Sequence, residues 1–105
     1  VIYKIDQKKM TVEQVWSYGK DRGFEWYSPI TSIVEYQKDK DSVFVYSANS
    51  GAKVNDRGAM VSAPNPTLME FKWNASKPSL EIQLENCAGY QAMPISVNAA
   101  FAPAK

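Results

Sequence analysis

At 105 residues with 45% apolar side chains, the chain carries enough hydrophobic surface for one small packed core and no more. Its 12 basic and 11 acidic residues nearly cancel and are scattered, which excludes the charge footprint of a nucleic-acid or membrane-surface binder. With no histidine and a single cysteine, Cys87, the usual nitrogen and sulfur metal sites cannot be assembled, no internal disulfide can form, and no cofactor is called for. Cys87 reads as an inert small hydrophobe.

The chain opens directly on "VIYKID", a strand-like run without a starting Met, a basic-then-apolar leader or an apolar stretch long enough to span a bilayer. That is the look of a mature or trimmed segment, with any targeting information upstream. Through the turn "QKKM" this run leads into "TVEQVWSYG", giving a β-hairpin over residues 1–19. The rival for "TVEQ" is a short helix, since Thr11 and Gln14 have capping-box spacing and Gly19 could end it. In "KDRGFEWY", Asp21 and Glu25 flank Arg22 beside a glycine, the pattern of a solvated turn rather than a catalytic pair. Phe24, Trp26 and Tyr27 could rim a pocket for a flat ligand, but the reading adopted gives at least two of them a place in the core.

Next, "SPITSIVEY" runs through the charged tip "QKDKD" into "SVFVYSA", and "TLMEFKW" runs through "NASKP" into "SLEIQLE". Both are hairpins of alternating, β-branched and aromatic character, suited to half-buried sheets. Between them, residues 49–66 show no period and are rich in Gly, Pro, Asn and Ser, so they predict a long exposed loop. "NAS" at 74–76 fits a glycosylation acceptor and equally an ordinary turn.

The end of the chain repeats its middle. Pro29-Ile30-Thr31 returns as Pro94-Ile95-Ser96, each shortly after a tyrosine, Tyr27 and Tyr90. "YKID" likewise returns as "MEFK", and "TVEQVW" as "SLEIQL", in the same order and at nearly one offset. The order is outer hairpin, inner strand, second strand, long loop, outer hairpin, inner strand. This predicts an all-β fragment of a β-propeller: the outer hairpin of one blade at 1–19, one full antiparallel four-stranded blade at 25–85 with its loop at 49–66, and the inner strand of a closing blade at 89–97. A stand-alone β-sandwich that binds a sugar or peptide is the alternative from a different class.

The segments "TVEQVWSYGKDRGFEWYSPITSIVEYQ", "NPTLMEFKW" and "GYQAMPISV" resemble the C-terminal part of the bacterial arylsulfate sulfotransferases that do not use the adenylylated sulfate donor. "GKDRGFEWYSPITS" is the most specific piece, and the loop at 49–66 contributes little. The resemblance implies a six-bladed propeller that is typically a periplasmic homodimer with a small N-terminal β-domain. It also implies transfer of a sulfuryl group from an aryl sulfate to a phenol by a ping-pong reaction, with a channel histidine as nucleophile and further histidines and an arginine holding the sulfate.

None of those histidines is in this chain, so it carries no catalytic residue and is expected to be inactive alone. What the resemblance carries over is Thr31 in "SPITS" and Tyr90 in "GYQAMP" as substrate-binding residues at the phenol end of the channel. The partners it implies are the aryl sulfate, the phenol and the remainder of the propeller, with neither nucleic acid nor membrane. On the residues themselves, Thr31 at a repeated inner strand can present a hydroxyl, and Tyr90 can present a ring to an aromatic ligand.

Overall fold

The computed structural model describes residues 1–95. Strand β1 (Ile2–Asp6) and strand β2 (Thr11–Trp16) pair antiparallel, with Ile5 opposite Val12 and a register shift between Ile2 and Tyr3. Asp6 closes the turn between them, its Oδ1 accepting the N–H groups of Lys8 and Lys9 at 3.0 Å each. "TVEQ" is therefore strand and not helix. Pairing with β1 satisfies its backbone, and the β-branched Thr11, Val12 and Val15 favour the extended form.

A short 3-10 helix at Lys20–Glu25 follows, which the sequence pattern did not announce. It starts at Gly19, whose φ of 90° is open to glycine, and a Cβ there would run into the Trp26 ring. Gly23 breaks the helix in two with non-helical angles. The segment thus bends twice within a few residues and tucks Trp26 beneath itself.

Strands β3 (Ser32–Gln37), β4 (Ser42–Ser47), β5 (Thr67–Lys72) and β6 (Leu80–Gln83) form one antiparallel sheet in sequence order. Over the described residues the protein is all-β, with two antiparallel sheets of two and four strands, and the larger is a meander of the kind that makes a propeller blade. The register sets Val34, Val45 and Met69 in one row and Tyr36, Val43 and Phe71 in the next, on one face. Val43 and Phe71 are fully buried, and Val45 and Met69 nearly so.

The hairpin lies over that face. Trp16 meets Phe71 edge-on at 5.1 Å between ring centroids, Tyr18 packs on Phe71 at 4.5 Å, and Trp26 crosses Tyr18 at 5.7 Å. The Trp16 indole N–H donates to the Ala75 carbonyl at 3.1 Å, so its polar edge is satisfied where its body is buried. Full burial of a side chain such as Phe71 contributes about 1.5–3 kcal/mol by leaving water, and the half-buried Tyr18 and Trp26 add less. Of the aromatic trio, only Trp26 joins the core. Phe24 is 83% exposed and stacks edge-to-face on the exposed Tyr27 at 5.9 Å, because the kink at Gly23 turns Phe24 outward.

The long connection at 49–66 is more ordered than its composition suggests. Asn49 and Ser50 at its start and Pro64 and Pro66 at its end are buried, Val54 bridges Met60, and Asn55 Oδ1 accepts the N–H groups of Arg57 and Ala59. At its base the Ser50 hydroxyl donates to the Asn65 carbonyl, with Thr67 Oγ1 3.1 Å away. Residues 53–61 and Ala63 are exposed.

After β6 the chain turns back. The Leu84 N–H donates to the Pro66 carbonyl at 2.8 Å and the Asn86 N–H to Asn65 Oδ1 at 3.0 Å. Residues 89–95 are not paired as a strand among the described residues, and the last part of the strand expected at 89–97 lies outside them.

Candidate functional site

Strand β3 begins at Ser32, so Thr31 is the residue that delivers the chain into the strand and does not itself lie in the alternating ladder. Its φ is 50°, a left-handed conformation that a β-branched residue rarely adopts. Two neighbours hold it there. The Ser28 hydroxyl accepts the Asn49 backbone N–H at 3.0 Å and donates to the Ile30 carbonyl at 2.6 Å, with the Thr31 carbonyl at 3.1 Å. The Asn49 side-chain amide nitrogen lies 3.1 Å from the Ile30 carbonyl and 3.0 Å from Thr31 Oγ1, and donates to both.

"SPITS" is thus clamped across to the end of β4, and the Thr31 side chain stays exposed. Sequence inspection found Thr31 but not its supports. The available signal was the Ser-Pro pair, a turn starter, and an Asn two residues beyond a strand.

Tyr90 is 78% exposed. It is anchored through Gly89, whose backbone lies against Tyr46, Ala48 and Pro66 so closely that an added Cβ would be 2.7 Å from the Ala48 carbonyl oxygen. Thr31 reaches Asn49 and Gly89 reaches Ala48, so both sequence-predicted residues are brought to the same end of β4. They are not bonded to each other. Burial raises the Tyr46 hydroxyl above its ordinary pKa of 10.0, with the neighbouring Cys87 adding to the rise.

A second polar cluster joins the 3-10 helix to the edge strand β6. The Arg22 guanidinium bonds Glu81 at 2.9 Å and Tyr18 Oη at 3.3 Å, and its Cζ lies 5.5 Å from the Trp26 ring centroid. Partial burial pulls the Arg22 pKa down, but its hydrogen bonds to Tyr18 and Glu81 outweigh that and leave it raised. "KDRGFEWY" is therefore not a free turn: Arg22 is a tie between layers, worth on the order of 1 kcal/mol at this exposure. Arg22 and Glu25, with Gly51, Asn65 and Gln83, line a polar cleft on this side.

Among the described residues no group of acidic or sulfur side chains is placed to hold a metal ion. The chain has no histidine, and among the described residues no nucleophile and base are hydrogen-bonded to each other in the region of Thr31 and Tyr90. What the arrangement brings to this end of β4 is an exposed threonine hydroxyl and an exposed tyrosine ring.

A family model described as arylsulfotransferase (ASST) matches residues 1–91. The chain is also 57% identical over 49 residues to an arylsulfate sulfotransferase AssT from Lelliottia amnigena, and 59% identical over 49 residues to one from Escherichia coli O6:H1 (strain CFT073). In both cases the matched stretch is 47% of this chain and 8% of the relative, so the chain spans a small part of the length of these relatives.

Proposed function

The chain belongs to the arylsulfotransferase family, and from that premise we propose that it is a C-terminal part of an aryl-sulfate sulfotransferase, contributing the acceptor end of its substrate channel. The observation that carries this reading is the family match over residues 1–91, joined to relatives named arylsulfate sulfotransferases. In the whole enzyme an aryl sulfate gives its sulfuryl group to a histidine and the aryl oxygen leaves as a phenolate. A phenol then takes the group from the histidine and loses its proton. The histidine comes from outside this chain, so the chain alone is inactive.

The proposal includes a six-bladed propeller, a periplasmic location and a homodimeric parent. In support of the propeller, Tyr3, Ile5 and Val12 on the hairpin and Leu80 and Ile82 on β6 are all at least 45% exposed, as blade faces are when their neighbours are missing.

Within this reading Thr31 and Tyr90 hold the phenol ring and oxygen. The test is made in the full-length enzyme, timing loss of 4-nitrophenolate from 4-nitrophenyl sulfate separately from transfer to a series of phenols. Tyr90→Ala removes an aromatic wall worth on the order of 1 kcal/mol beyond its area, and Thr31→Val removes a hydroxyl at nearly constant volume. Both are expected to change acceptor selectivity, Tyr90→Ala at unchanged stability and Thr31→Val with the loss of about 1 kcal/mol that follows when the buried Asn49 amide loses one acceptor. Two variants with the wild-type order of preference among phenols would return both residues to a purely structural role.

A further inference from the structure

Asn49 is buried at 2% exposure, yet it spends its side chain on an exposed residue. Its amide orientation is fixed by chemistry: the Ile30 carbonyl 3.1 Å away can only accept, so the group facing it must be the NH₂. The same nitrogen lies 3.0 Å from Thr31 Oγ1, so the threonine hydroxyl must accept there as well. Ser28 cannot reverse this, because its single proton is directed to the carbonyls of Ile30 and Thr31. The Thr31 hydroxyl is left with one lone pair occupied and its proton without an acceptor among the described residues.

We propose that Asn49 is a positioning residue that makes Thr31 a hydrogen-bond donor toward the aryl oxygen of the substrate, an inference that rests on Thr31 facing that oxygen. A hydroxyl that already accepts a hydrogen bond is a stronger donor through its own proton. As the sulfur–oxygen bond of an aryl sulfate breaks, its electron pair stays on the aryl oxygen. The charge that develops there is what the Thr31 proton stabilises. The same clamp holds Thr31 at its left-handed φ of 50°, immediately before the ladder that starts at Ser32.

The signature is a change in sensitivity to the leaving group. In the full-length enzyme, kcat/KM is measured for a series of substituted phenyl sulfates whose phenols span a wide range of acidity. Asn49→Ala is expected to cost about tenfold with the poorest leaving groups, the worth of one hydrogen bond, and much less with 4-nitrophenyl sulfate, where little help is needed. The plot of log rate against phenol pKa steepens accordingly. Thr31→Val steepens it in the same way, Thr31→Ser restores the wild-type slope, and Asn49→Ala adds nothing further to the slope in the Thr31→Val background.

Melting temperature is followed throughout, and Asn49→Ser, smaller but still polar, repeats the comparison if Asn49→Ala unfolds. An equal loss across the series from Asn49→Ala, or the same loss with and without the Thr31 hydroxyl, overturns the positioning role while leaving Thr31 in the pocket. A wild-type slope in Thr31→Val overturns the pocket reading and this inference with it.

Discussion

Gly89→Ala places the least possible side chain where the structure has no room for one. The new methyl would lie 2.7 Å from the Ala48 carbonyl oxygen and 3.0 Å from Pro66 Cγ, and would run into Tyr46 Oη. None of these can step aside: one is backbone at a strand end, one a buried proline, one a ring only 4% exposed. Overpacking of this kind costs about 1–3 kcal/mol, so the chain takes whichever response is cheaper. The segment after β6 is tied by the bonds from Leu84 N–H to Pro66 and from Asn86 N–H to Asn65, each worth about 1 kcal/mol. Release of the segment therefore limits the loss to roughly 2 kcal/mol, about thirtyfold in the balance of docked over undocked forms.

Two measurements read that release. Tyr46 titrates late because burial and Cys87 disfavour its phenolate, and undocking admits water, so its titration moves back toward pH 10 in Gly89→Ala. Taking the difference against Tyr46→Phe variants isolates this tyrosine from the others. The amide of Asn86 exchanges faster while those of β4 and β5 keep their protection. If both the titration and the Asn86 exchange of Gly89→Ala match the wild type, the tail is not held by close backbone approach and the argument fails.

Phe71→Ala, at a fully buried position touching both Trp16 and Tyr18, is expected to lower stability by about 3–5 kcal/mol in urea unfolding; a loss under about 1 kcal/mol would mean that the hairpin does not pack on the sheet as described. Tyr36 is raised chiefly by its hydrogen bond to Asp41, and Tyr46 by burial, so the folded chain keeps these protons longer than the unfolded one. Their stabilisation is complete below about pH 10 and is lost as pH rises through the raised values, so unfolding midpoints should fall on the alkaline side and fall less in Tyr36→Phe/Tyr46→Phe. An unchanged alkaline limb in that double variant would contradict the assignment.

The amino-acid order by itself determined the strands. Period-two runs such as "SVFVYS" and "TLMEFK" can bury one face only when extended, and "QKDKD" and "NASKP" can only be turns between them, so an all-β meander follows from local chemistry. Resemblance over "GKDRGFEWYSPITS" likewise pointed to the family that the match over residues 1–91 establishes.

Tertiary structure decided what touches what. Whether Phe24, Trp26 or Tyr27 enters the core depends on the kink at Gly23, and an aromatic run has no period from which to read that bend. Arg22 becomes a tie because Glu81 is carried to it on a strand distant in sequence, and no local pattern around "KDRG" contains that partner. The support of Thr31 has the same character. Asn49 lies outside the repeat, at the far end of β4, and only the β3–β4 register, which sets Ser32 opposite Ser47, brings its amide to the threonine hydroxyl. Strand identity is a property of neighbouring residues, whereas the direction of one hydrogen bond is fixed by groups that folding alone brings together.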